Sequence, residues 1–514
     1  MLASVALDSG VFVDPVGREL LFHGTNAIVK GPPWYPEWKS FSRDISMAEE
    51  DFVLMEELGM NVLRLGVMWP GVEPLEGHYN ETYLDQIEEI VNLGSQHGIY
   101  TLLDMHQDGL SEFFCGEGLP TWAVRHTDYF TADKHGYPFP FDSPMGEGDF
   151  YVEEDLPTKP TIPTRASCST KNQGPGWHEP TMASANAYEA FYQNVDGMLD
   201  AWANMWAHVV ERFEGNDSVL GVELINEPFA GDLYRNPLLM VPRPNPGNAD
   251  RINLQPAYEI ASEKIREVDK ERLVFFDGVT WGDLGSGFSE APGGQEYANK
   301  TVLGFHYYAP PQLDPSKGHS ALQFKAQQRI SKKLGAGTFL TETSQPDLTK
   351  EDSDGFSLLG GIGDAADATL SSWAGYEWKS FCREGAGGST ESQMGEWGAC
   401  KTGYSRNFNA DRPEDDFMIA NGRTFARAVA GKKESMYYDV DTKNFTLIYR
   451  VNEVSKMHET EIFASPLIYP EGLSVHVEGA GAEGVWEEET GKVSVRVGGD
   501  AREGEKVTVT LGRK

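Results

Sequence analysis

The sequence predicts a (β/α)8 TIM barrel of the α/β class followed by a β-sandwich domain, and three observations lead to this prediction. Eight short apolar segments alternate with segments in which apolar residues return every three or four positions. Two of the apolar segments end in a glutamate, which is where parallel barrels place their chemistry. Beyond about residue 431 the chain changes to alternating strands with Gly-rich or acidic turns. We therefore expect a barrel over residues 1–430 and a sandwich over residues 431–514.

The predicted barrel follows an N-terminal hairpin, VFVDPVGREL. Its strands are, in order, LFHGTNAI, NVLRLGV, IYTLLDMH, VLGVELINE, RLVFFDG, TVLGFHYY, GTFLTET and SSWAGYEW. Segments such as MAEEDFVLMEELG, YLDQIEEIVNLGSQHG and YEAFYQNVDGMLDAWANMWAHVVERF have helical spacing. Residues 109–187 break this rhythm with Gly, Pro and aromatic residues. We interpret them as an insertion that leaves the catalytic face and forms a wall or lid of the cleft.

The predicted sandwich contains the strands KNFTLIYRV, ETEIFAS, LSVHVEG, KVSVRVG and KVTVTLG. Its roughly 80 residues are a usual size for one domain. Within it, GAGAEG at 479–484 fits the G-x-G-x-x-G nucleotide fingerprint. The next segment continues as a strand, whereas the fingerprint requires a helix N-terminus. We therefore expect a turn at this place, and no cofactor.

Charge limits the possible partners. The 514 residues include 43 basic and 79 acidic side chains, for a formal net charge of −36. This charge excludes nucleic acid, whose phosphates need basic surfaces. It favours tolerance of mildly acidic fluid, although a simple solvated acidic surface explains it equally well. No run of 18 apolar residues occurs, so we expect no stable membrane insertion.

Four cysteines lie in two loop-rich segments, as Cys115 with Cys168 and Cys382 with Cys400. Two local disulfides in an oxidising compartment are one interpretation, and free buried thiols are the other. Sequons occur at Asn80, Asn216, Asn299 and Asn444. Together these features predict a secreted or lumenal protein of a lysosome-like or digestive fluid. The first residues, MLASVALDSG, lack the features of a leader, so we expect that none existed or that it was removed.

A pair of glutamates is the strongest functional signal. Glu227 follows the apolar run VLGVELIN, and Glu342 ends the run GTFLTE. Two such carboxyl groups indicate glycoside hydrolysis, in which one gives a proton and the other attacks or steers water. We expect Glu227 to be the acid/base and Glu342 the nucleophile, with Asn226 bound to the sugar 2-hydroxyl. For a retaining enzyme the two carboxyl groups should lie about 5–5.5 Å apart.

Three further residues at strand ends are expected to contact this pair. Arg64 closes NVLRL, and its forked guanidinium can hold Glu342 ionised, although a salt bridge at the barrel rim is the alternative. His306 and Tyr308 in GFHYY face one side by the period of two. The phenol is expected to fix one oxygen of Glu342 and the imidazole a sugar hydroxyl. A core histidine and a packed tyrosine are the alternatives.

The segment LLDMHQDG places His106 and Asp108 on one face after the third strand, where they suit recognition of sugar hydroxyls. No third ligand accompanies them at metal spacing, so we expect no metal site. Near the end of the eighth strand, Trp378 is expected to stack on a sugar ring, with Trp373 as the competing candidate. Either indole is equally compatible with a place in the core.

Jointly, Arg64, His106, the Asn226–Glu227–Pro228 motif, His306 with Tyr308, Glu342 and Trp378 resemble glycoside hydrolase family 5 over nearly the whole first 430 residues. LDMHQDGLSEFFCGEGLPTWA is similar to the endoglycoceramidase branch of that family, and Lys30 in GTNAIVK matches a lysine of that branch that contacts the glycan. The resemblance implies that Lys30, His106, Asp108, Asn226, Tyr308 and Trp378 bind glycan. It also implies hydrolysis of the β-bond between oligosaccharide and ceramide with retention, without a metal cofactor, and a C-terminal β-sandwich.

A ceramide substrate requires an apolar groove and a transient contact with lipid or micelles. Candidates for the groove are Phe113, Phe114, Leu119, Trp122, Leu238, Leu239, Met240 and Val241, for which core packing is the alternative. Two other functions stay open. One is a β-glucanase or a glucosylceramidase-like enzyme of the same family, and the other is a barrel that binds glycans without turnover.

Overall fold

The computed structural model describes residues 3–6, 9–114, 116–124, 182–240, 247–279, 286–308, 319–344, 361–379, 381, 408–409, 412–413, 418 and 421–514. It contains a closed parallel barrel in which each strand pairs with the next in sequence and the last pairs with the first. Barrel strands 1 to 8 are His23–Ala27, Val62–Gly66, Tyr100–Asp104, Val219–Glu223, Leu273–Asp277, Thr301–Tyr307, Gly337–Ser344 and Trp373–Tyr376. Seven of the predicted strand segments contain the observed strand, and the segment GTFLTET misses only Ser344, so the predicted barrel is confirmed.

Helices cover the outside of the barrel. Those described are Glu49–Glu57, Trp69–Val72, Glu81–Gln96, Met182–Tyr192, Met198–Arg212, Gln255–Val268, His319–Leu334 and Gly361–Thr369, with Glu453–Met457 in the second domain. In Glu81–Gln96 the buried residues Leu84, Ile87 and Val91 return at helical spacing. The long helix predicted from Tyr188 onward is instead two helices. They separate at Asn194–Gly197, where three residues have positive φ.

The N-terminal hairpin closes one end of the barrel. Phe12 lies on the first of its paired strands, Phe12–Val13 and Glu19–Leu20, and packs against the aromatic rings of Phe22, Phe275 and Phe339. This cluster fills the end at which the barrel strands begin. Access for a substrate is therefore at the opposite end, where the strands finish.

The second domain is a β-sandwich, as expected. One sheet has seven strands, Ser4–Val5, Phe12–Val13, Glu19–Leu20, Phe425–Val429, Thr460–Phe463, Lys492–Arg496 and Glu483–Glu487. The other has four, Lys432–Tyr438, Phe445–Arg450, Lys506–Arg513 and Leu473–Glu478. A short pair, Phe408–Asn409 with Arg412–Pro413, lies apart. Strand Phe425–Val429 precedes the expected boundary at 431, and the N-terminal strands complete the same sheet because Leu20 pairs with Ala428.

Two sequence predictions about connections have different outcomes. The G-x-G-x-x-G segment is a turn between two strands, with positive φ at Gly479, Ala480 and Gly481. Most of the insertion and all four cysteines lie outside the described residues, so the lid and the disulfides stay predictions. Among the residues that the structure describes, no helix has the length and apolar character needed to cross a bilayer.

Candidate active site

The two glutamates meet at the open end of the barrel. Glu342 lies within barrel strand 7, and Glu227 lies in the segment that follows strand 4. One carboxylate oxygen of each, together with a ring nitrogen of His306, lie within 4.8 Å of one another. This separation matches the short spacing of a retaining pair and is well below the roughly 6.5–9.5 Å of inverting enzymes.

Glu342 is held on both oxygens. Arg64 donates from Nη1 to Oε1 over 2.7 Å, and the Tyr308 hydroxyl donates to Oε2 over 2.8 Å. His306 Nδ1 lies 3.4 Å from Oε2, and His106 Nδ1 lies 4.0 Å from Oε1. The residue as a whole is only 4 % exposed. Its orientation is therefore fixed before a substrate arrives, as an attacking group requires.

The same neighbours decide the charge of Glu342. Burial alone would raise the pKa of Glu342, but the charges of His306, Arg64 and His106 and the hydrogen bond from Tyr308 outweigh it. Together they lower the pKa to about 2. Glu342 is consequently an anion over the whole physiological range, which suits a nucleophile.

Glu227 has a different environment. It has a positive φ of 37°, and its side chain is 30 % exposed. His306 Nδ1 lies 2.7 Å from Glu227 Oε1. Burial lowers the pKa of His306, but the charges of Glu342, Glu227 and Asp277 and the hydrogen bond to Glu227 raise it to about 10. His306 is therefore an imidazolium that lies between the two glutamates. The sequence prediction gave it a sugar hydroxyl as partner instead.

Gln107 fixes the backbone that carries Glu227. Its Nε2 donates to the carbonyl oxygens of Asn226 and Glu227, both over 2.8 Å. Asn226 in turn donates from Nδ2 to the Gln107 carbonyl and accepts from Arg64 Nη2 through Oδ1. The amide of Asn226 keeps a second N–H, which is available for a sugar hydroxyl. These bonds join the ends of strands 3 and 4 beneath the two glutamates.

Lys30 and Asp108 form a second polar group at the same end of the barrel. The ammonium of Lys30 donates to Asp108 and lies 3.6 Å from Glu117. His106 Nε2 is 3.5 Å from Asp108, and its Nδ1 is 2.8 Å from Asp104. Burial raises the pKa of Asp108, but Lys30 and His106 lower it well below its usual range. The structure thus brings Lys30, His106 and Asp108 together beside the catalytic pair.

No third ligand was expected beside His106 and Asp108, but the structure places Glu117 next to them. Ligand atoms of the three side chains lie within 4.8 Å of one another, which is close enough for a metal ion. However, the ammonium of Lys30 already lies against the two carboxylates. The lysine supplies the positive charge that a metal would bring, and its donors suit sugar hydroxyls.

The structure corrects the sugar-stacking prediction for Trp378. Its side chain is fully buried, and Nε1 donates to Asp51 Oδ1 over 2.9 Å. Trp373 is also fully buried. The aromatic residue that ends strand 8 is Tyr376, which is only partly buried. Its ring lies 6.2 Å from that of His106, with the ammonium of Lys30 5.4 Å from its centroid.

The predicted apolar groove is also partly wrong. Phe113, Phe114, Leu119 and Leu239 are all buried, and they pack in the main core instead of lining a groove. Trp122 is partly buried against that core, and Val241 lies outside the described residues. The exposed apolar side chains in this part of the rim are Leu238, Met240 and Ile252, which are 61 %, 44 % and 43 % exposed.

Three acids that the sequence analysis did not select lie below the site. Asp104, Glu223 and Asp277 are the last residues of strands 3, 4 and 5, and all three are buried. Arg64 donates from Nε to Glu223 over 2.5 Å and lies 3.1 Å from Asp104. The signal was present in the sequence, since each acid ends an apolar run in the same way as Glu342 does.

Comparisons with known proteins agree with this geometry. The family model described as "Cellulase (glycosyl hydrolase family 5)" matches residues 14–137 and 176–381. An endoglycoceramidase of Cyanea nozakii is 39 % identical over 93 % of this chain and 87 % of that protein. One of Hydra vulgaris is 36 % identical over 92 % of this chain and 83 % of that protein.

The chain belongs to glycosyl hydrolase family 5. A second family model, the "Glycoside hydrolase family 5 C-terminal domain", matches residues 423–511, which is the sandwich. Among solved structures, the endo-glycoceramidase II from Rhodococcus sp. in its ganglioside GM3 complex has the same fold. Its TM-score is 0.66 at 21 % identity, and the alignment covers 98 % of this chain and 99 % of that one.

Membership of family 5 gives the two glutamates a common chemical frame. Glu342 is ionised and accepts hydrogen bonds on both oxygens, and one of its oxygens lies within 4.8 Å of an oxygen of Glu227, the short spacing that displacement at a single sugar requires. The polar side chains of Lys30, His106, Asp108 and Asn226 lie at the same end of the barrel. The site is therefore equipped for nucleophilic displacement at a sugar with a proton donor on the leaving side.

Proposed function

We propose that this protein is a retaining endo-β-glycosidase that hydrolyses the bond between oligosaccharide and ceramide in glycosphingolipids. The observation that carries the proposal is the short separation of Glu227 and Glu342, with oxygens within 4.8 Å of each other. Relatives at 36–39 % identity that carry the name endoglycoceramidase support the choice of substrate.

The reaction takes two steps at one anomeric carbon. Glu342 attacks that carbon while Glu227 protonates the oxygen of the departing ceramide, which gives a glycosyl ester on Glu342. Glu227 then removes a proton from water, and the water oxygen displaces Glu342 from the same face as the original bond. Arg64 and Tyr308 hold the charge that returns to Glu342 in the second step.

The glycan and the lipid are expected to use different parts of the rim. Lys30, Asp108 and Tyr376 offer an ammonium, a carboxylate and a ring face to sugar hydroxyls and ring hydrogens. Leu238 and Ile252 lie on neighbouring segments after strand 4, which are joined by a hydrogen bond from Asn248 to the Leu238 carbonyl. Exposed apolar side chains at this place suit the start of a ceramide tail and a transient contact with a micelle or a lipid surface.

The net charge of −36 shapes that contact. Anionic bilayers should repel the protein at neutral pH, and protonation of surface carboxylates should relieve this repulsion in acid. We expect the protein to act in a secreted or lumenal fluid of mildly acidic pH, and the glycosylation sequons also favour such a location. Sedimentation with vesicles that contain phosphatidylserine should show weaker attachment at pH 7 than at pH 5, and the reverse order would contradict this part of the proposal.

A substrate panel tests the function. The protein is incubated with gangliosides, neutral glycosphingolipids, glucosylceramide and soluble β-glucans, and the released sugars are identified by mass spectrometry. Intact oligosaccharides together with free ceramide are expected. Release of glucose from glucosylceramide alone, or cleavage of β-glucans with glycolipids untouched, would instead place the enzyme among the glucosylceramidase-like or glucanase members. Glycan affinity without turnover would indicate a binding barrel.

A further inference from the structure

A small group of buried polar atoms lies around His306, the ring that contacts the acid/base Glu227. Asp277 Oδ1, Glu223 Oε1 and His306 Nε2 are all buried, and the structure gives none of these three atoms a hydrogen-bond partner. Ligand atoms of the three side chains lie within 4.8 Å of one another. Since buried polar atoms are nearly always bonded in proteins, three that converge on one point call for an explanation.

The backbone allows this close approach only because residue 304 is glycine. A Cβ at Gly304 would lie 2.2 Å from Asp277 Oδ1 and 3.3 Å from Glu223 Oε1, so any side chain there would separate the acids from His306. The adjoining cavity, of about 40 Å³, is lined by Glu227, Asp277 and His306. One water molecule needs roughly 10–15 Å³ by this measure, so a bridging water fits.

His306 joins the two ends of this group. Its Nδ1 lies 2.7 Å from Glu227 Oε1, and its Nε2 lies 3.7 Å from Asp277 Oδ2. The second distance is longer than a direct hydrogen bond, and a small shift or one water molecule closes it. A path of polar contacts therefore runs from Asp277 through both ring nitrogens to Glu227.

We propose that Asp277 is a positioning residue for the acid/base, and that its carboxyl group, by accepting the Nε2–H of His306 directly or through one water molecule, fixes the Nδ1–H that this ring directs at Glu227. The inference rests on the proposed role of Glu227. In the first step, Glu227 gives its proton to the glycosidic oxygen as the bond to the anomeric carbon breaks. The carboxylate that remains on Glu227 accepts the Nδ1–H of His306, whose two ring protons stay in place. In the second step, Glu227 takes a proton from water as the water oxygen displaces Glu342, so the acid form is restored and the cycle balances.

The electrostatic surroundings couple Asp277 to His306. The charge of Asp277 is among those that raise the pKa of His306, while burial and the charge of Glu223 raise the pKa of Asp277 well above its usual range. The charges of His306 and Arg64 lower the pKa of Asp277, whereas the negative charge of Asp104 raises it further. On the remaining side, the Tyr258 hydroxyl donates a hydrogen bond to the backbone carbonyl of Asp277, so this bond does not engage the carboxyl group.

The test is the pH profile of Asp277→Asn. Asp277→Asn removes one of the negative charges that raise the pKa of His306, so the imidazolium should lose its proton at lower pH, and the alkaline limb of kcat/KM should move to lower pH by about one unit. At the wild-type optimum, kcat/KM on glycolipid should fall at least 10-fold. The fall should nearly vanish for a 2,4-dinitrophenyl glycoside of the same sugar, because that leaving group needs no proton. An equal loss on both substrates, or an unmoved alkaline limb, would overturn the proposal.

A matched control lies before the helix Gln255–Val268. Asp250 is a buried acid that accepts the backbone N–H groups of Val279 and Gly287, and neither of these two bonds involves His306. Asp250→Asn should lower thermal stability and leave the alkaline limb in place. If Asp277→Asn does not fold, Asp277→Ser is measured in its place with the same expectation. Failure of the proposed function is distinguishable, because then the wild-type protein cleaves neither substrate.

Discussion

Arg64 Nη1 lies 2.7 Å from Glu342 Oε1, in a place where the arginine side chain has no exposure to solvent. The guanidinium also reaches Glu223, Asp104, Asn226 and Asn26. It thereby ties the nucleophile to four barrel strands. A buried cation among several carboxylates is tolerated only when its donors are satisfied, and here each nitrogen has an acceptor. The nucleophile is thus part of the barrel framework, and the acid/base lies on a more exposed segment.

Tyr308→Phe removes one of the two strong hydrogen bonds to Glu342. Because that bond lowers the pKa of Glu342, its loss should raise the pKa. The active form is the carboxylate, so the acid limb of kcat/KM should move to higher pH. A hydrogen bond to a charged group contributes about 1.5–3 kcal/mol, so kcat should fall roughly 10- to 100-fold. Tyr437→Phe on the exposed face of the sandwich is the control, and an acid limb that stays in place would contradict the assignment.

Tyr376 and Trp378 are expected to separate binding from stability. Tyr376→Ala removes the ring beside Lys30 and His106, so KM for glycolipid should rise about 10-fold while the fold is kept. Trp378→Phe loses a buried ring and the bond to Asp51, and should reduce the free energy of unfolding by about 1–3 kcal/mol with little change in KM. Steady-state kinetics measures KM, and urea unfolding measures the free energy of unfolding, for both variants. A rise in KM for the tryptophan variant alone would restore the original prediction.

These two aromatic residues illustrate what a single sequence can reveal. The strands were predictable because alternation and apolar runs are local signals, and the catalytic glutamates were predictable because they end such runs. The role of Trp378 was not, since its partner Asp51 is 327 residues away. The same holds for the sandwich sheet, which takes in the N-terminal strands through contacts such as Arg18 with Glu461. Contacts between residues that are distant in sequence produce no periodic pattern from which they could be predicted.

His306 should make stability depend on pH in the alkaline range. Its folded pKa of about 10 lies above an unfolded value near 6.5, so its contribution is complete below about pH 6.5 and is lost as pH rises through 10. His306→Asn should therefore lose less stability between pH 7 and pH 10 than the wild type does. Urea unfolding at pH 7 and at pH 10 measures the loss of stability between these pH values for each protein. Parallel losses in the two proteins would show that the imidazolium is not held in the way described.

The division of labour between the two glutamates is tested most directly by azide rescue with an activated aryl β-glycoside as substrate. Glu342→Ala lacks the nucleophile, so azide should enter from the opposite face and give the α-glycosyl azide. Glu227→Ala still forms the glycosyl ester, so azide should attack that ester and give the β-glycosyl azide. Proton NMR of the anomeric signal distinguishes the two products. The reverse pattern would exchange the roles of Glu227 and Glu342, and an absence of rescue in both variants would contradict the double-displacement account.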